Sequence, residues 1–361
     1  MSKLRRSLLV LTGILFLGAA FFGLNNASAQ DSDTDSDSDP VVSSTPPPVE
    51  DDEIINIDTE VVNVLFTAQD KQRRLLTDLK EGDVKLFENG EEQQLIAFAR
   101  KVDLPLSLTI VIDTSASQER TLPQEKDAAK SFLEAVVRPD KDEVAIVSFT
   151  GETTLEQGMT NNIARLRRAI DNVNFIPPSG YVGGGVVVGT PPVSGANRNV
   201  IGSTAIWDAL WVTSEDILGP SPDKTRRAIV LLTDGVNTSG MKKLEDAVRA
   251  SLKAEAVIYS IGIGDNYFDG VNRGALEKVS ESTGGRAFFP RDEMELRASF
   301  RQIQEEMRSQ YLLVYEPLNQ TRDGSYRKID IQLADPNLIR DKVKLTHREG
   351  YFAKTEKKKT E

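Results

Sequence analysis

Asp113, Ser115 and Ser117 close the run Leu108-Thr109-Ile110-Val111-Ile112-Asp113-Thr114-Ser115-Ala116-Ser117. An apolar stretch ends there on a carboxylate, and two hydroxyls follow at alternate positions. A buried strand that stops at Asp113 leaves its carboxylate at the carboxyl edge of a sheet, where open α/β sheets place ligand sites. A tight loop after it can turn Ser115 and Ser117 toward the same point. One carboxylate with two neutral oxygens is a hard-oxygen set, suited to Mg2+ or a similar cation. The same residues also read as a strand-ending Asp followed by an N-cap serine, and on this segment alone both readings stand.

Two further segments share the pattern. Ile229-Val230-Leu231-Leu232-Thr233-Asp234-Gly235 is a second apolar strand ending on an aspartate, with a glycine for the sharp turn. Between the two strands, Gly202-Ser203-Thr204-Ala205-Ile206-Trp207-Asp208-Ala209-Leu210 puts Thr204 at or next to the start of a helix-patterned run. In order, D-x-S-x-S, G-S-T-A-x-x-D-A-L and L-L-T-D-G resemble the von Willebrand factor A domain with its metal-ion-dependent adhesion site. The resemblance implies a ligand set of Asp113, Ser115, Ser117, Thr204 and Asp234 around Mg2+ (or Mn2+ or Ca2+). It also implies a protein ligand that offers an Asp or Glu carboxylate to the metal, Thr204 engaged in the ligand-competent state, and binding without catalysis.

The resemblance runs over residues 104–310. Asp142–Phe149 is similar to the family's second strand, Ala256–Gly264 to its fifth, and Ser282–Phe289 to its last helix-to-strand turn. Upstream, Leu79–Gly90 leads to Leu104-Pro105-Leu106-Ser107, a combination that resembles a bacterial subgroup of von Willebrand factor A-related secreted proteins first noticed in acidobacteria.

The elements that must position these residues alternate. Strands interleave with amphipathic helices expected at Pro123–Val137, Ile163–Val173, Thr204–Ile217, Lys243–Ala254, Arg273–Glu281 and Glu293–Ser309. That order predicts an α/β domain, doubly wound around a mostly parallel sheet with both faces covered. On either side the period changes to that of strands. Residues 54–103 place Val61, Val64 and Phe66 in one run, then flank the turn Asn89-Gly90 with Val84, Leu86, Leu95 and Phe98. Residues 311–353 carry Leu312 and Val314, an Asp323-Gly324 turn, the alternation Ile329, Ile331, Leu333, and a last strand with Val343 and Leu345. Each piece has too few strands to stand alone, so the two are expected to pair into one sandwich. The long Gly- and Pro-rich segment 175–202 leads into Thr204 and is expected over the metal-bearing edge, as a specificity loop or as a floppy insertion.

Residues 1–29 read as a signal peptide: Lys3, Arg5 and Arg6, an apolar run to Leu24, and Ala27-Ser28-Ala29 before the cut. The alternative is a retained membrane anchor. Export to the cell envelope or beyond follows, and no cysteine is present for a lipid anchor, a disulfide or a thiolate metal site. Residues 30–53 form an acidic Ser/Pro-rich linker and 354–361 a basic tail. Removal of 1–29 takes away three basic residues and no acidic one, moving the formal charge from −11 to −14. So acidic a chain is a poor partner for nucleic acid.

Enzymatic alternatives fit less well. Gly262-x-Gly264 lacks the third glycine and the following helix of a dinucleotide loop. His347, the one histidine, is far in sequence from both serines, and no G-x-S-x-G elbow is present. Asp113-Thr114-Ser115 resembles one arm of an aspartic protease, but the intervening chain is rich in helix patterns and Asp234 is not followed by Thr-Gly. Trp207 and Trp211, one helical turn apart, are expected in the core. The reading favoured is a non-catalytic, metal-dependent protein-binding module. An envelope scaffold with a structural metal and an aspartic-type hydrolase are the rivals.

Overall fold

The computed structural model describes residues 61–100, 104–175, 203–222, 224–264 and 270–355, and the backbone of 181–183 and 186–188. These belong to one compact unit, Ile57–Glu361. The expected signal peptide, the linker, most of the 175–202 segment and most of the basic tail lie outside the described residues. Among the described residues, no helix is long and apolar enough to cross a membrane.

Four strands open the unit: β1 (Val62–Gln69), β2 (Val84–Glu88), β3 (Glu91–Gln93) and β4 (Leu95–Arg100). An alternating region follows with β5 (Leu106–Asp113), α1 (Leu122–Val136), β6 (Glu143–Phe149), β7 (Thr153–Thr160), α2 (Ile163–Asn172), β8 (Tyr181–Gly183), β9 (Val186–Val188) and α3 (Ile206–Val212). It continues through β10 (Arg226–Thr233), α4 (Leu244–Lys253), β11 (Ala256–Gly262), α5 (Arg273–Ser282), β12 (Ala287–Phe288) and α6 (Glu293–Arg308). The chain closes with β13 (Tyr311–Tyr315), β14 (Tyr326–Leu333), α7 (Pro336–Arg340), β15 (Lys344–His347) and β16 (Gly350–Phe352).

The central sheet has the order β12-β11-β10-β5-β6-β7 and is parallel apart from β7. Every residue of β5 is buried, as its unbroken apolar run requires of a strand covered on both faces. Leu108, Ile110 and Ile112 of β5 pack with Phe132 and Leu133 of α1 and Phe300 and Ile303 of α6. Val111, with Ile229 and Leu231 of β10, faces α3, α4 and α5 through Ile206, Leu210, Ala247 and Leu276. The doubly wound sheet expected from the alternation is therefore present. The antiparallel edge strand β7 has no clear sequence signal, because Thr153–Thr160 carries little apolar periodicity and is half-exposed.

Connections from β5 lead to β6 on one side, whereas β10 lies on the other. The strand order thus reverses between β5 and β10, and their carboxyl ends open a crevice where such sheets bind ligands. Asp113 ends β5, and Asp234 directly follows β10.

The flanking strands pair as expected, each sheet drawing on both ends of the chain. One sheet is β15-β1-β13-β4 and the other β16-β14-β2-β3. Their shared core holds Val64 and Phe66 of β1, Leu86 of β2, Tyr311, Leu313 and Tyr315 of β13, and Ile329 of β14. Phe66 and Tyr311 stack with ring centroids 5.0 Å apart. Three details correct the sequence reading. Val61 is exposed, and Val62 takes the inward position with Val64 and Phe66. The hairpin at Asn89-Gly90, both residues at positive φ, joins β2 to β3 only; β4 crosses to the other sheet beside β13. A further strand, β16, follows β15 and pairs with β14.

Candidate metal centre

Asp113 sits at the bottom of the crevice with no exposed surface. One carboxylate oxygen, Oδ1, accepts the Ser115 backbone N–H at 2.9 Å, which folds the chain back at once. The other, Oδ2, accepts the Thr233 hydroxyl at 2.5 Å across the β5–β10 pair. Thr114 bonds to the Phe149 carbonyl through its backbone N–H (2.8 Å) and its hydroxyl (3.0 Å), anchoring the loop to the end of β6. A short 3₁₀ turn, Ala116–Gln118, then brings the Ser115 and Ser117 hydroxyl oxygens to 3.2 Å from each other. The two hydroxyls do converge, as their spacing implies. Gln118, fully buried, donates to Ser117 Oγ at 3.4 Å and to the Ile263 carbonyl at 3.1 Å, fixing the loop from behind.

Asp234 is buried at the end of β10, and its Oδ1 accepts the Val236 N–H at 2.9 Å. Gly235 follows at φ +79°, and a Cβ there would lie 2.8 Å from Leu276 Cγ; the turn needs a residue without a side chain. Thr204 precedes α3, which starts at Ile206 instead of at Thr204 and continues as a π-helical turn, Thr213–Leu218. The Thr204 N–H donates to Thr238 Oγ1 at 2.8 Å, and the Thr204 carbonyl accepts the N–H groups of Thr238 (2.9 Å) and Ser239 (3.1 Å). The Ala205 N–H reaches the Thr150 carbonyl at 2.7 Å. Backbone bonds thus pin Thr204 between the end of β6 and the loop after Asp234.

Among the described residues the crevice is short of positive charge. Burial pushes the Asp113 carboxyl up to about 7, and the neighbouring Asp234 adds to the rise, while the Thr233 and Ser115 bonds oppose it. A divalent cation meets this need, and the donors are of the hard-oxygen kind that Mg2+, Mn2+ or Ca2+ takes. Among the described residues, no group of three or more His, Cys, Asp or Glu side chains is placed to hold a metal. The oxygens the structure brings together are the Ser115 and Ser117 hydroxyls on the loop that Asp113 holds, while Thr204 and Asp234 are placed beside them through backbone bonds.

Four features are not evident from the sequence reading. Thr233 is a direct partner of Asp113, for which its place opposite Asp113 at the strand ends is the available signal. Asp208 accepts the N–H groups of Met241 (3.0 Å) and Lys242 (3.2 Å), tying α3 to the loop after Asp234. Trp207 is in the core, but half-buried Trp211 lies under the Lys242 ammonium, 3.9 Å from its ring centroid. Glu125 of α1 is fully buried, and both carboxylate oxygens lack a hydrogen-bond partner. His347 takes no part in the crevice; it is held in the sandwich, where its Nε2 accepts the Ile331 N–H at 3.3 Å.

Residues 108–190 match the family model of the von Willebrand factor type A domain, a stretch that includes Asp113, Ser115 and Ser117. No match was found among curated proteins. Solved structures similar to the chain include proximal thread matrix protein 1 from the mussel byssus (19% identity, TM-score 0.46, 61% of this chain and 51% of that one). Another structure of the mussel protein, described as having a zinc-occupied MIDAS motif, gives 20% identity and a TM-score of 0.46, over 61% of this chain and 49% of that one. An aerotolerance-related membrane protein from Bacteroides fragilis gives 15% and 0.40, over 56% of this chain and all of that one. The chain spans about half the length of the mussel protein.

Proposed function

Taking the von Willebrand factor type A domain in this chain as premise, we propose that the crevice between β5 and β10 binds a divalent cation and, through it, an acidic group of a protein partner. The observation that carries the reading is the convergence of the Ser115 and Ser117 hydroxyls, 3.2 Å apart, beside the buried Asp113 carboxylate. Ser115, Ser117 and Thr204 supply neutral oxygens, and Asp113 and Asp234 act directly or through water. Where carboxylates act through water, few anions are bound directly and the cation is left under-neutralised, so a partner's Asp or Glu carboxylate is the natural completing ligand. Mg2+ fits best, because it demands near-octahedral geometry and retains waters at vacant positions. The resemblance to the acidobacterial-type subgroup and the signal-like residues 1–29 support placing this binding in the envelope or outside the cell.

A binding role is preferred to hydrolysis. Aspartic hydrolases share a proton between two facing carboxylates. Here Asp113 is engaged by Thr233 and Ser115, and the two aspartates follow neighbouring parallel strands of an α/β sheet.

Titration of metal-free protein with Mg2+ or Mn2+ tests the proposal. Saturable binding with a rise in melting temperature is expected, worth about 2.7 kcal/mol at a hundredfold excess over Kd. Asp113→Ala abolishes it, and Ser115→Ala or Ser117→Ala weakens it; unchanged binding in Asp113→Ala refutes the site. Thr204→Ala is expected to cost metal affinity modestly and partner affinity heavily. A partner complex that survives EDTA favours the scaffold reading instead.

A further inference from the structure

Glu125 lies in the first turn of α1, whose N-terminus follows directly on the Ser115–Gln118 loop. It has no exposed surface, and neither Oε1 nor Oε2 finds a hydrogen-bond partner. A buried charge without partners is costly enough that such groups pair, coordinate metal or stay neutral. Capping does not explain its presence: the helix has no side-chain cap bond, and Glu125 stands one position beyond the one used by a capping box. Packing does not explain it either, since a leucine fills a first-turn core position without a desolvation penalty. The nearby Thr121 hydroxyl has one proton for three acceptors, Gln118 Oε1 at 3.1 Å, the Gln118 carbonyl oxygen at 3.3 Å and the Glu125 carboxyl beside them.

The side chain lies within electrostatic reach of the crevice. Burial, opposed in part by Thr121, pushes its carboxyl up to about 8, and the charges of Asp113 and Asp234 both add to the rise. A connected path leads the same way, from Thr121 to Gln118 and from Gln118 to the Ser117 hydroxyl. Among the described residues, no lysine, arginine or histidine forms an ion pair with Asp113, Glu125 or Asp234. Three carboxylates therefore act on one region with no cation between them among the described residues. They do not converge as a three-carboxylate metal cluster.

Resting on the metal reading above, we infer that Glu125 is an outer carboxylate of the cation site, accepting a hydrogen bond from a water that the cation holds. Its negative charge strengthens cation binding from behind the serine loop without occupying a coordination position, leaving the open face of the ion to the partner. Groups that act on a metal through its first ligands change affinity by about 10- to 100-fold when removed.

Mn2+ binding to the full chain, followed by calorimetry and by loss of the free-ion electron paramagnetic resonance signal, tests the inference. The variants are Glu125→Gln, which keeps shape and removes charge, and Glu125→Leu, which supplies an apolar side chain. Both are expected to weaken Mn2+ binding about 10- to 100-fold. Their metal-free melting temperatures should equal or exceed that of the unaltered protein. Full Mn2+ affinity in both variants, with Asp113→Ala inactive in binding, overturns the role of Glu125 and leaves the site intact. Absence of saturable Mn2+ binding in the unaltered chain overturns the site and the inference together.

Discussion

Replacing Thr233 by valine removes one hydroxyl from the floor of the crevice and leaves the side chain's branched shape. That hydroxyl donates to Asp113 Oδ2 at 2.5 Å and accepts the Gly235 N–H at 3.2 Å, all three groups being buried. A hydrogen bond to an ionised carboxylate contributes about 1.5–3 kcal/mol, and one to a neutral acid about 0.5–1.5. Asp113 changes from neutral to ionised at about pH 7. With the weaker loss at Gly235 included, Thr233→Val should cost about 2–4.5 kcal/mol at pH 8.5 and about 1–3 at pH 5.5. For a protein of this size the larger figure corresponds to a fall in Tm of about 3–7 °C. Thermal melts of metal-free protein at both pH values measure it, with Thr233→Ser as the control that keeps the donor. An equal penalty at the two pH values, or none, would refute the assignment of Asp113 as a buried carboxylate held by Thr233.

Other consequences follow from the same geometry. In metal-free protein the Glu125 carboxyl titrates at about 8, against 4.5 when unperturbed. Between those two values the folded chain holds a proton that the unfolded chain has released. The contribution of Glu125 to stability should therefore fall as the pH rises from one to the other, by at most about 1.4 kcal/mol for each tenfold drop in proton concentration, on top of the fall from Asp113. Glu125→Gln should flatten that fall, as read by denaturant titration. A Cβ at Gly285 would stand 2.0 Å from the Ile258 carbonyl oxygen, so Gly285→Ala should force β11 and the turn after α5 apart. Its expected signature is a loss of soluble yield or of several kcal/mol in chemical denaturation. Deleting 311–353 removes β13 from between β1 and β4 and uncovers Val64, Phe66 and Leu86. Aggregation by light scattering is expected, and a soluble monomer would show that the two β-pieces do not depend on one another.

The parts of the fold legible in the sequence are those specified locally. Leu108–Asp113 and Ile229–Asp234 announce buried strands ending on carboxylates, and the alternation of Ile329 and Ile331 marks an inward face that the sandwich core fills. Ser115 and Ser117 are legible as a pair because two residues of spacing in a tight turn bring hydroxyls together. What stays hidden depends on partners distant in sequence. Thr233 gains its role only because β10 pairs with β5 in the register that sets Leu232 beside Ile112, bringing the next residues of the two strands together. Glu125 reads as an ordinary first-turn glutamate until the sheet, the serine loop and α1 close around it. No turn residue marks the crossing of the chain from one sheet to the other at Gln94, so β3 and β4 read as one strand.

Anomalous scattering from crystals grown with Mn2+ shows whether the crevice holds a divalent cation. One strong manganese peak is expected in the crevice between β5 and β10, coordinated by the Ser115 and Ser117 hydroxyls, with Asp113 and Asp234 at direct or one-water distance and Glu125 beyond them. The peak should vanish in Asp113→Ala crystals. A manganese-free crevice at saturating Mn2+, or a peak that persists in Asp113→Ala, would contradict the cation site.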